Sequence, residues 1–467
     1  MDAETPSESK TSWKGRPAGL PSGVPPPSVP LSFLGAAVVG LIACGIALLG
    51  TRHYVAVNPA DDHVVGAAHL AMLATLSMGV LGAIHQFTPV ITKEPLRSVR
   101  LSRATFLSWV AGSWLLPIGF ITQHEPVVEI GGGCAALAVA LFVVNMAPPL
   151  SSRAKGAPVM GLRLAVVGFV ATACYGVVYV IDRRGNWFNL NGHVVLAHAC
   201  IGLLAWLGLT YLSVSEKLWP MFMLAHVPGR RRSGWVGIWS LFVGVVLLSP
   251  GLLVGWAWLA VSGSLIVLIG LGAHLFSLVI HVQHRRRAAD LHLWFVVTSA
   301  AWLVVGAGLG FAGTLVMRHH HHLGVALIAT TICALSGWLL VALVGHSYKI
   351  VPFIIWSALR ARGTSTKTNG AALMFSDLYN HRWSTIDYAL VNAGIALTCF
   401  GMATSSSGWI GAGGILLVAT GVVTALNLAW RPIRLFSVQR GVDPVHENLA
   451  PITSRASLRA RKPTTET

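Results

Sequence analysis

The chain has 467 residues, 54% of them hydrophobic and 10% charged, with a formal charge of +17 and a mean hydropathy of +0.68. Soluble domains carry about 25% charged residues, so this composition excludes an ordinary soluble enzyme. The basic excess would suit nucleic acid, but its placement along the chain assigns it to a membrane surface instead.

In chain order, residues 1–30 are polar and then Pro-rich (Pro21, Pro25, Pro26, Pro27, Pro30). They read as a disordered lead-in without a cleavable signal peptide. Twelve apolar runs follow, near 31–50, 63–91, 101–122, 128–149, 161–181, 192–213, 234–250, 252–280, 290–316, 322–345, 386–403 and 408–430. A bilayer crossing needs about 20 apolar residues, so the sequence predicts an all-α polytopic membrane protein. Ser249-Pro250-Gly251 reads as a tight turn between the seventh and eighth runs. The segment 357–383 is a long polar loop, with a weak amphipathic signal at Leu373–Tyr379, and 440–467 is a second disordered tail, basic in character.

Threading the chain through twelve spans gathers Lys and Arg on one side, from Lys93, Arg97, Arg100 and Arg103 to Arg285, Arg286 and Arg287 and on to Arg431. The other side keeps Arg52, Arg183, Arg184 and Arg318. The positive-inside rule then makes both termini cytoplasmic and the protein a multi-pass component of a cell membrane. All six cysteines fall inside spans without a Cys-x-x-Cys and read as small buried apolar residues.

A short motif recurs as Gln86-Phe-Thr-Pro89, Lys217-Leu-Trp-Pro220 and Lys349-Ile-Val-Pro352. The prolines are 131 and 132 residues apart (220 − 89 and 352 − 220), and Trp206 and Trp338 repeat with the same 132. A fixed period signals a duplicated unit. Twelve spans divide into three four-helix blocks, at 31–150, 161–281 and 290–435, with the motif ending the second span of each. Pro there reads as a helix stop, and the Lys or Gln as a headgroup contact.

Carboxylates are nearly absent from the spans, with Glu129 and Asp182 at span ends and nothing acidic read as deep. Histidines are the exception. His63 and His69, His193 and His198, and the run His319 to His322 sit on the non-cytoplasmic half of spans 2, 6 and 10. Six residues into its span, His69 lies roughly 9 Å deep. Neutral imidazole is the commonest protein ligand for haem iron and copper, and bundles hold such metals with His from facing helices. His69 and His198 are the leading candidates. His281, His284 and His292, beside Arg285 to Arg287, read as an interfacial basic cluster.

Three four-helix blocks with such histidines on spans 2, 6 and 10 resemble the catalytic subunit of the haem–copper oxidase superfamily, which includes cbb3-type oxidases, nitric oxide reductases and NnrS-type membrane proteins. The stretches His69-Leu-Ala-Met-Leu to Pro89, His198 to Pro220-Met-Phe, and Gly345-His-Ser-Tyr-Lys-Ile-Val-Pro-Phe carry that likeness. The resemblance implies an axially ligated b-type haem held by His69 with His320 or His322. It also implies a metal such as copper at His198 or His193, and His63 is a further metal candidate from its place on span 2. Span 7 has no histidine, so the implied copper site is degenerate. Respiratory or nitric-oxide-related redox chemistry follows as an expectation, with an electron-donor protein or quinol as partner. Copper or haem handling for respiratory enzymes is the alternative reading.

Overall fold

The computed structural model describes residues 24–187, 193–227, 232–316, 319–364, 366–367 and 371–440. The readings of 1–30 (up to residue 23) and of 441–467 lie outside the described residues. Twelve helices are long and apolar enough to cross a membrane. They are α1 Ser28–Val57, α2 Asp62–Thr92, α3 Val99–Ile121, α4 Glu125–Ser151, α5 Ala157–Gly185 and α6 Val194–Met223. Then follow α7 Ser233–Val254, α8 Ala257–Gln283, α9 Leu291–Gly313, α10 Leu323–Ala361, α11 His381–Ala403 and α12 Ser407–Ala429. Among the described residues there is no strand, only an isolated bridge between Thr366 and Ala372. The protein is an all-α polytopic membrane protein.

The second helix of each block forms the centre. The most apolar windows of α2, α6 and α10 are each 61% buried, against at most 50% for any other helix. Trp206 and Trp338, the residues that repeat with the motif, are both fully buried there, and Phe169 stacks on Trp206 at 3.9 Å. The first and last helices close the ring, with Gly45 of α1 against Gly414 of α12.

The third and fourth helices of each block pack as tight hairpins. A Cβ on Gly119, Gly251 or Gly401 would lie 2.5–2.6 Å from the backbone nitrogen of Val128, Ala260 or Ile410 respectively. Only a missing side chain lets two helix backbones approach so closely, the small-residue packing expected where lipid supplies no hydrophobic drive. In every pair the glycine precedes its partner by nine residues (128 − 119, 260 − 251, 410 − 401). The first two glycines are 132 apart (251 − 119) and the last two 150 (401 − 251), so 18 residues (150 − 132) are added within the third block. The long loop after α10 accommodates them. Its 3₁₀ turn is Phe375–Leu378, so the amphipathic signal there becomes one short turn whose Leu378 is buried with Leu359 and Leu373.

Two expectations need correction. The motif prolines do not stop their helices: α2 runs three residues past Pro89 and α6 three past Pro220, and Pro352 lies well inside α10. The stops are the left-handed residues Lys93 (φ 62°) and Leu224 (φ 50°), again 131 apart (224 − 93). A proline costs a helix one backbone hydrogen bond, a loss that membrane helices tolerate when neighbouring groups serve the freed carbonyl. Likewise α7 continues through Pro250, and the turn falls at Gly255 (φ 76°).

Candidate metal centre

Helix α2 winds as a π-helix over Leu70–Ser77, and α6 does so over Ile201–Gly208. Their starts are 131 apart (201 − 70), the motif period. π winding breaks the regular ladder and is frequent at functional sites. Trp109 donates its indole N–H to the Leu73 backbone carbonyl at 3.1 Å, and Trp206 donates to the Ser77 hydroxyl at 3.0 Å. The second bond ties one π stretch to the other across the block boundary.

His69 immediately precedes the first π stretch, and His198 lies three residues before the second. The structure brings these two together, with ring centroids 6.4 Å apart and planes 26° from parallel. The Nδ1 of His69 is 2.7 Å from the Val65 carbonyl, which fixes that nitrogen as a donor and leaves Nε2 free. His198 Nδ1 is buried without a hydrogen-bond partner. Phe120 of α3 stacks on His69 at 5.3 Å and Tyr175 of α5 on His198 at 5.8 Å. The adjacent Gly176 makes room for His198, since a Cβ there would meet its Cε1 at 3.3 Å. Both imidazoles are half-buried.

A metal–imidazole bond is about 2.0–2.1 Å, so two rings on opposite sides of one ion have centroids roughly 6.3 Å apart. The observed 6.4 Å between centroids is of that size. Among the described residues no group of three or more His, Cys, Asp or Glu is placed to hold a metal. The cavity of about 170 Å³ between α6, α7, α8, α9 and α10 is lined by apolar side chains such as Leu203, Leu271 and Phe311 and has no histidine. Ligand pockets usually span about 300–1,000 Å³, so this cavity is too small for a haem.

The other predicted site residues lie elsewhere. His63 pairs with Asp61 at 2.7 Å, stacks on Tyr54 at 4.0 Å and makes no described contact with His69. The imidazole beside it holds the Asp61 carboxyl below the usual carboxylate range. His319 and His320 are exposed where the chain enters α10. The side chains of His193, His321 and His322 lie outside the described residues. Above the pair, Arg183 bridges Asp62 (3.0 Å) and Glu125 (2.6 Å), with its guanidinium 5.2 Å over Phe120. Two of the four basic residues on this face, Arg183 and Arg184, are therefore neutralised locally.

A second set of histidines, His85, His274, His281, His284, His292 and His346, stands out in the sequence toward the basic ends of the helices, and the structure buries all of them but His284. His281 and His292, read as interfacial, are 2% and 6% exposed. The ring of His292 meets that of His346 at 4.9 Å. Asp387 of α11, at the margin of its apolar run, is fully buried, an acid that the sequence reading passed over. The residue four before each motif proline gave a usable signal. It is His85, Glu216 or Tyr348, polar in every copy, and each makes an inward contact: His85 stacks on Phe33, Glu216 accepts from Ser277, and Tyr348 bonds to Asp387.

No protein-family model matches this chain, and no curated protein matches it in sequence.

Proposed function

We propose that the protein is an integral-membrane redox metalloprotein in which His69 and His198 hold one metal centre, the iron of a b-type haem. The observation that carries this reading is the pair itself. Two imidazoles from neighbouring blocks stand 6.4 Å apart beside matched π-helical stretches, and His198 Nδ1 has no partner. The resemblance to haem–copper oxidases supports haem, which would supply one-electron redox chemistry where His69 and His198 hold it. The implied pairing of His69 with a span-10 histidine gives way here to His198. His69 and His198, both half-buried, would hold the iron. The protein's own contributions are to fix the His69 tautomer through Val65 and to aim both rings. An electron-donor protein or quinol supplies electrons, and both termini face the cytoplasm.

The second reading is copper handling. The same spacing suits a two-coordinate monovalent copper ion and needs no slot for a porphyrin. Absorption spectroscopy with metal analysis of detergent-purified protein decides between them. Haem gives a Soret band and about one iron per chain, whereas copper without a Soret band selects the second reading. His69→Ala and His198→Ala each abolish the bound metal, while His320→Ala and His85→Ala retain it. Protein free of both metals would sink both readings.

A further inference from the structure

Helix α11 carries Asp387 six residues after His381 (387 − 381), roughly 9 Å in from its start at 1.5 Å per residue. Its side chain is fully buried. A carboxylate in the membrane is costly and is retained where it has work to do. The groups facing it are all uncharged. Tyr348 of α10 donates its hydroxyl to Asp387 Oδ2 at 2.7 Å, and Thr424 of α12 donates to the same oxygen. Phe295 of α9 packs on the rings of Tyr348 and Tyr388. The adjacent cation, Lys349, is committed elsewhere, its Nζ 2.6 Å from Asp290. The second carboxyl oxygen, Oδ1, is buried without any partner. A carboxylate so placed would be an uncompensated buried charge, which costs far more than a neutral acid.

A hydrogen-bonded chain links this acid to the basic face. Asn427 of α12 donates to the Tyr348 hydroxyl over 3.4 Å and to the Asn380 carbonyl at 3.0 Å. The Asn380 N–H donates to Asn427 Oδ1 at 2.7 Å. Asn380 caps α11 by accepting from the Arg382 N–H, and exposed His381 lies between them in sequence. The ring of Tyr379 sits between those of Tyr348 (5.4 Å) and His381 (4.7 Å). Burial pushes the Tyr379 hydroxyl up to about 12, so it stays neutral near pH 7 and takes part only as a hydrogen-bonding group.

We propose that Asp387 is an intramembrane proton-binding site, loaded and unloaded through Tyr348 from water at the basic face near His381. The ligand is a single proton. On loading, the Tyr348 hydroxyl passes its proton to the carboxyl oxygen it already bonds and takes a replacement from hydronium at the basic face, releasing water; unloading reverses both transfers. The site lies on α10, α11 and α12, apart from the His69–His198 pair, and does not depend on it.

Infrared spectroscopy of the full chain in lipid vesicles, titrated with pH and exchanged into deuterium oxide, tests this. The expected result is a C=O band of a protonated carboxylic acid that titrates and shifts on deuteration in the wild type. Asp387→Asn should remove it, and Tyr348→Phe should move its frequency and slow its exchange. Identical spectra for wild type and Asp387→Asn would overturn the proposal. So would an Asp387 band insensitive to both pH and deuteration, since that describes a purely structural acid. A sodium-dependent change without any carboxylic band would overturn it in favour of a metal cation. If Asp387→Asn fails to assemble, Tyr348→Phe decides: a moved or slowed band supports the proposal and an unchanged one refutes it.

Discussion

At the residue scale, equivalent positions in the repeat do different work. Lys217 and Lys349 occupy the same motif place, yet Lys217 is exposed and Lys349 is 6% exposed and bonded to Asp290. Removing the Lys349 ammonium leaves the half-buried Asp290 carboxylate with only the Leu293 N–H at 3.1 Å and the more distant Arg287 at 3.9 Å, and hydrogen bonds to charged groups are worth about 1.5–3 kcal/mol. Lys349→Met is therefore expected to destabilise the folded protein by about 1–3 kcal/mol, while Lys217→Met stays within about 0.5 kcal/mol. Denaturation midpoints in one detergent compare the two directly. Asp61 makes a second prediction. It caps α2 by accepting from the His63 N–H at 2.9 Å, and its folded-state pKa is depressed by the His63 side chain. A depressed carboxylate contributes stability above its unfolded pKa and loses it as pH falls through the folded value. Asp61→Asn, which keeps the cap without the charge, should narrow its gap to wild type as the pH falls below about 4. A gap that widens on acidification would contradict this.

At the scale of elements, the hairpins α3–α4, α7–α8 and α11–α12 share one close backbone contact, at Gly119, Gly251 and Gly401. Overpacking a filled interface costs about 1–3 kcal/mol, and here the obstacle is backbone, which cannot rotate away. Valine at any of the three positions is expected to lower thermal stability by that order. Gly35→Val, at a position with nothing within 4 Å, should leave it nearly unchanged. Equal losses at all four glycines would mean helix propensity, not packing, sets the cost. The π stretches belong to this scale too. They were not legible, because their residues (Leu70-Ala-Met-Leu-Ala-Thr-Leu-Ser77 and Ile201-Gly-Leu-Leu-Ala-Trp-Leu-Gly208) read as ordinary apolar helix. Their contacts are made in the fold, by Trp109 of α3 on Leu73 and by Trp206 of one stretch on Ser77 of the other.

At the scale of the whole molecule, an even number of crossings places both ends of the described chain on one face. Reporter fusions at the N- and C-termini should both be active on the cytoplasmic side. Opposite locations would break the twelve-span topology, and a shared outer location would reverse its orientation. The sequence by itself determined the all-α class, the twelve membrane-length apolar helices and the recurring motif, because hydropathy and period are properties of the chain alone. It also singled out His69 and His198. Only the tertiary structure decided that these two are neighbours while His320 is exposed at the mouth of α10. Which faces of α2 and α6 meet depends on helix rotation and π winding, and residue spacing carries neither. The same holds for Asp387. In the sequence it is one polar residue at the margin of the run 386–403; three helices converging on it, with hydroxyls but no cation, make it a buried acid.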